Sequence, residues 1–185
     1  MREEIRRAIC DMEFEFLNSK VRVEAERDYE AIELPGLRIG PLSRGERYTM
    51  PLWVAEELEK KGIIKMVERP ELKDEDFIRY HKRETGLSGG PFELPSDFYP
   101  RLRRLIKKLE EEARRDPSLL PNLGRLRARA QDIVNARLKK IVSLASSVAR
   151  SPMTRKYLTP EEELVFDLVG DLADAWREEV VKGGG

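Results

Sequence analysis

The sequence is poor in the residues from which reaction centres are most often built. Cys10 is the single cysteine and His81 the single histidine among 185 residues. One cysteine excludes an internal disulfide. A zinc site of His and Cys would lack ligands. A Ser-His-Asp or Cys-His unit would rest wholly on two residues from different segments. Amides are scarce as well: Gln131 is the lone glutamine, and the asparagines are Asn18, Asn122 and Asn135. With Glu, Lys and Arg abundant, this is the composition expected of a heat-adapted protein. No apolar run approaches the roughly 20 residues that span a bilayer. The opening "MREEIRRAIC" has no signal-peptide core, so an intracellular protein with no membrane partner is expected. Net charge is missing too, with 35 basic residues against 35 acidic ones, which argues against binding nucleic acid by bulk charge.

Other chemistries fall away on inspection. "GLSGGP" lacks the lysine and the strand–helix setting of a phosphate-binding loop. No carboxylate pair stands isolated in an apolar setting, as acid–base catalysis would require. His81 lies among Arg79, Tyr80, Lys82 and Arg83 and reads as a surface residue. Cys10, one step from an apolar stripe, reads as a small, partly buried hydrophobe. No catalytic residue, cofactor or metal ligand is assigned, and the chain is not expected to be an enzyme.

What is present is organisation. Ile5, Ala8, Ile9, Met12 and Phe16 recur at helical spacing. "VRVEA" alternates as a strand, "YEAIEL" is a second candidate strand, and residues 46–49 a third. "PGLRIGP" and "SRGE" are turn chemistry. Pro51 is expected to open a helix as its first residue. Lys60, Lys61 and Gly62 are expected to close it, with Gly62 in a left-handed cap. "IIKMV" completes a small α+β unit. Residues 69–95 read as a connection, with "DEDFIRYHKRETG" able to form a short helix and "LSGGPFELPSD" a joint.

Everything after that is helical. Phe98, Leu102, Leu105, Ile106, Leu109 and Ala113 form one stripe. A long helix is expected from about Leu120 or Leu123 to about Ala149. A last helix starts at "LTPEEE", with Thr159 as N-cap, Pro160 first and Glu162 completing a capping box. Val165, Leu168, Val169, Leu172 and Trp176 supply its apolar face, and "VKGGG" reads as a frayed tail. The fold class is therefore mainly α: a small N-terminal α+β domain over 1–68, the connection over 69–95, and a helical-bundle domain over 96–182.

Charge is segregated. Residues 101–140 hold 13 basic and 5 acidic side chains, and residues 159–180 hold 8 acidic and one basic. Two readings follow: neighbouring helices with complementary polar faces, or a basic face for DNA or an acidic partner. The second lacks interleaved exposed aromatics or a reading helix.

Two residues are out of place. Arg137 points into the stripe made by Leu126, Ala130, Ile133, Val134, Leu138, Ile141, Ala145 and Val148. Either its stem lies on the core while its head reaches solvent, or it forms a buried ion pair with another helix, within the chain or across an interface. Trp53 lies roughly opposite the face made by Pro51, Val54, Ala55, Leu58 and Gly62, and Leu52 lies to the side of that face. Either the preceding loop, with Tyr48 or Met50, covers the indole, or Trp53 packs on the helical domain or another chain.

"MEFEFLNSKVRVEA" and "LPGLRIGPLSRGERYTMPLWVAEELEKKGIIKM" resemble the small domain of GINS replication complex subunits that carry that domain first. "GP", a spacer, then "MPLWVAEELEKKG" is the strongest match. "LPSDFYPRLRRLIKKLEEEA" is similar to the entry helix of the GINS helical domain. "NARLKKIVSLA" and "LTPEEELVFDLV" resemble its central and final helices. The resemblance covers most of residues 12–180, and its domain order points to the archaeal counterpart of the eukaryotic second and third subunits. It implies a non-catalytic scaffold in a tetramer, formed with itself or with a paralogous subunit. It also implies a bridge between the MCM helicase and a RecJ-like or Cdc45-like protein, at chromosomal DNA but with direct DNA contact the weaker expectation. The candidate interface residues on this reading are Leu52, Trp53, Phe98, Tyr99, Arg137 and Trp176.

Overall fold

The computed structural model describes residues 1–86, 90–148 and 152–182. Two compact units emerge, one of residues 9–70 and the other of residues 1–8 with 71–185.

In the smaller unit the end of α1 (Arg2–Asn18) leads into β1 (Lys20–Ala25). β1 is the centre of an antiparallel sheet, flanked by β4 (Arg47–Pro51) and β5 (Ile64–Met66). Alternation puts Val21, Val23 and Ala25 on the buried side. α2 (Leu52–Lys60) covers that side with Leu52, Val54, Ala55 and Leu58, joined by Phe16, Met50, Ile63, Ile64 and Met66. A separate hairpin pairs β2 (Ile32–Leu34) with β3 (Leu37–Ile39). "PGLRIGP" is not turn throughout, as its composition suggests. Only Pro35 and Gly36 make the corner, with Gly36 at φ +78°, and Leu37 resumes an extended strand.

The boundary at Pro51 also differs from expectation. Its ψ of 143° is extended, so it closes β4 opposite Lys20 and precedes the helix rather than opening it. At the other end the expected cap forms. Gly62 has φ +61°, and the Ile63 N–H donates to the Leu58 carbonyl at 3.0 Å.

In the larger unit α5 (Leu120–Ala145) is the central helix, and α3 (Asp74–Thr85), α4 (Phe98–Arg115) and α6 (Pro160–Lys182) pack against it. The segment read as a connection therefore contributes α3 to this unit. One apolar cluster joins Leu72, Phe77, Leu94, Phe98 and Leu102 to Leu126, Ala130 and Ile133 of α5. A second joins Ile141 and Ala145 of α5 to Leu158 and Phe166. α5 ends at Ala145, short of the expected end, and Val148 is exposed. Ala149, residues 87–89 at the start of the "LSGGPFELPSD" joint and the terminal glycines lie outside the described residues. The architecture is mainly α, a small strand-containing region followed by a helical bundle.

Candidate functional site

Arg137 lies on α5 four residues from Ile133 and four from Ile141, between the two apolar clusters. At 100° per residue all three share one face, so the guanidinium has no route to water along its own helix. It is 1% exposed. An unpaired charge there would cost several kcal/mol, roughly 3–5 when one partner of such a pair is removed. The fold supplies partners from four other segments. Arg137 Nε donates to Glu162 Oε1 of α6 at 2.6 Å, and Nη2 donates to Glu162 Oε2. Nη1 donates to Glu84 Oε1 of α3 at 2.8 Å and to the Phe92 carbonyl. Nη2 also donates to the Tyr157 carbonyl at 2.8 Å. The planar fork of arginine suits this divergent demand, where an ammonium would not.

The carboxylates are equally committed. Glu84 Oε1 also accepts from the Phe92 N–H at 2.7 Å, and its Oε2 accepts from Lys140 Nζ at 2.8 Å. Glu162 Oε1 accepts from the Tyr99 hydroxyl at 2.7 Å, and Oε2 from the Thr159 N–H at 3.0 Å. That last bond is the returning half of the capping box expected at the start of α6, so Glu162 caps its own helix and neutralises Arg137 at once. Two cations meet two anions, and the cluster is electrically balanced.

Protonation follows from this geometry. Burial by itself would lower the Arg137 pKa, but the bonds and charges of Glu162 and Glu84 outweigh it and the net shift is upward. Burial first, and then the charge and hydrogen bond of Glu162, push the Tyr99 phenol above its ordinary range. Tyr99 is thus held as a donor. The cluster binds α3, α4, α5 and α6 into one arrangement through permanently placed charges. Its carboxylate oxygens are occupied by fixed donors, so what it does chemically is hold geometry.

The two alternatives for Arg137 resolve to the buried pair, made within the chain. Phe98 is fully buried, packed edge-on against Tyr80 at 5.6 Å and Tyr99 at 5.2 Å. Leu52 is 1% exposed and belongs to the small unit's core. A helical side chain leans toward the N-terminus, which carries Leu52 back over the sheet. Neither Leu52 nor Phe98 is therefore a surface residue, as an interface candidate must be. Trp53 is partly exposed, and its Nε1 donates to Asn18 Oδ1 at 3.3 Å. Trp176 is 65% exposed.

Two minor expectations change. His81 is half-buried, with Nε2 3.0 Å from Asp132 Oδ2, because α3 packs on α5 at this point. Cys10 is exposed, since its step from the apolar stripe of α1 turns it toward solvent. Glu84 and Lys140 carry no signal of their own in the sequence. The one available signal is Arg137 itself, whose placement demands anions without saying which.

A second feature is on the surface. On α6, Leu168, Leu172, Trp176 and Val180 recur at four-residue spacing and all are exposed. On α5, Val134, Leu138 and Val142 do the same. Among the described residues, the part of α6's apolar face packed within the chain is Val165 and Val169, beside Phe166. No group of His, Cys, Asp and Glu among the described residues is arranged to hold a metal ion. No helix among them is long and apolar enough to cross a membrane.

A small α+β unit ahead of a charge-tied helical bundle defines the class: a mainly α protein with apolar side chains left exposed on two of its helices. The Sld5 family model, described as the GINS complex protein helical bundle domain, matches residues 65–181. The chain belongs to the GINS family, whose complex acts in DNA replication. No curated protein matches it.

Proposed function

We propose that this chain is a non-catalytic scaffold subunit of an archaeal GINS complex, of the small-domain-first type that corresponds to the eukaryotic second and third subunits. It assembles as a tetramer, with copies of itself or with a paralogous subunit. It links the MCM helicase to a RecJ-like or Cdc45-like protein on chromosomal DNA. The observation that carries the assembly reading is the row of exposed apolar side chains Leu168, Leu172, Trp176 and Val180 on α6, together with the exposed Val134, Leu138 and Val142 on α5. Monomeric proteins seldom leave such rows uncovered, and burying them between chains is favourable at about 25 cal/mol per Å².

The competing reading, a nucleic-acid-binding face over 101–140, is weakened by where its cations go. Arg103 pairs with Glu161, Arg127 with Glu110, Lys140 with Glu84, and Arg101 with Asp97. Light scattering on the eluting chain, alone and with its paralogue, tests the assembly. A four-chain mass is expected, and a monomer under every condition would overturn it. Recovery of MCM with the tagged chain from native extract tests the bridge.

A further inference from the structure

In the small unit, Trp53 is held by a side-chain hydrogen bond while the residue remains 38% exposed. Asn18 makes that contact with both ends of its amide. Its Nδ2 donates to the Phe14 carbonyl at 2.8 Å, and its Oδ1 accepts from Trp53 Nε1 at 3.3 Å. The first bond orients the amide, and the second then fixes the indole. The backbone beneath is also tied, with the Leu52 N–H donating to the Ser19 carbonyl at 2.9 Å and Pro51 paired opposite Lys20. Phe14, on the same face of α1 as Asn18, is 69% exposed. Two aromatic rings are thus presented on ordered backbone with the indole N–H already satisfied. Aromatic side chains ordered before binding lose little entropy on contact and commonly carry interface energy.

The charges around the rings select the partner. Asp11 and Glu15 flank Phe14 and are exposed, and no basic residue occurs between Cys10 and Asn18. After Trp53 come Glu56 and Glu57 on α2, and Lys60, the cation of that helix, is paired with Glu57 at 2.6 Å. We propose that Phe14 and Trp53 form a docking surface for a basic, amphipathic segment of a protein partner. The partner's apolar side chains would pack on the rings, and its lysine or arginine would lie over the indole face and against Asp11 and Glu15. A cation over tryptophan is favoured by the ring quadrupole as well as by the carboxylates. The same acidic rim disfavours a nucleic acid strand stacking on the rings.

Trp53 reports its own occupancy. The test uses the full chain carrying Trp176→Phe, so that the emission comes from Trp53. Two synthetic helical peptides share one leucine face and carry either lysine and arginine or glutamate on the other. The basic peptide is expected to shift and quench the emission and to bind at least about tenfold tighter than the acidic one, a difference that shrinks with added salt. Asp11→Lys with Glu15→Lys is expected to abolish that preference, and Phe14→Ala to weaken binding of the basic peptide severalfold, while the far-ultraviolet circular dichroism is unchanged. Equal response to both peptides, no response to either, unchanged affinity for the basic peptide in Phe14→Ala, or retention of the preference in Asp11→Lys with Glu15→Lys overturns the proposal. So does emission that answers to oligo-dT instead, or self-association lost on Phe14→Ala, which would assign the surface to a nucleic acid or to a second copy.

Discussion

Arg137 Nε and Glu162 Oε1 lie 2.6 Å apart with both side chains withdrawn from solvent, at the point on α5 where one apolar cluster ends and the next begins. A core built only from hydrophobic contacts could tolerate some sliding of α6 along α5. A bidentate pair tolerates little, because displacement strands a charge.

Arg137→Ala is expected to destabilise the chain by about 3–5 kcal/mol, since it leaves Glu84 and Glu162 buried without their main partner. Arg137→Lys should also lose heavily, because one ammonium cannot serve diverging carboxylates. Combining Arg137→Met with Glu84→Gln and Glu162→Gln should recover much of the loss. Urea unfolding of the three variants is the measurement. A single Arg137→Ala within about 0.5 kcal/mol of the parent would show that the cluster is not a structural tie.

Tyr99→Phe removes one bond to a charged acceptor, worth roughly 1.5–3 kcal/mol. The alkaline behaviour carries a sign as well. The folded phenol is raised above its unfolded value, by burial first and Glu162 second. Its contribution is therefore present below the ordinary tyrosine range, about pH 10, and is lost as pH climbs beyond it. The parent chain should lose stability above that point more steeply than Tyr99→Phe, as read from unfolding midpoints at graded pH.

Glu161, in the first turn of α6, sets a second pH dependence. Burial raises its carboxyl pKa, against the pull of Arg103 at 3.4 Å. A raised carboxyl binds its proton more tightly in the folded chain, so stability falls as pH rises from the ordinary carboxylate range through the folded value. Glu161→Gln should flatten that part of the stability profile and leave the chain as stable or more stable near neutral pH. A variant that is less stable near neutral pH, with the slope unchanged, would show that the Arg103 pairing dominates.

Leu172→Asp combined with Trp176→Asp alters side chains that are 71% and 65% exposed. Surface changes of this kind seldom move folding stability by more than about 0.5 kcal/mol. Assembly should be lost all the same, seen as a fall in mass by light scattering at unchanged circular dichroism. Loss of helix content would show instead that the stripe is needed inside the chain.

Local pattern decided a good deal. The return of the Glu162 carboxylate to the Thr159 N–H, the left-handed glycine at position 62, the alternation in β1 and the placing of Arg137 on an apolar face all follow from spacings of a few residues, where backbone geometry dictates direction. Those spacings could announce that Arg137 needed an anion. They could not choose Glu84, which is 53 residues away in sequence, because no local periodicity encodes which helix returns to lie against which. The same limit explains Leu52 and Phe98. Both are large apolar residues at helix starts, and only the element packed over them decides between core and surface. The stripe on α6 shows the converse. Its apolar period is plain in the sequence, but tertiary packing uses Val165 and Val169 and leaves Leu172 and Trp176 uncovered, because no further helix among the described residues is laid over them.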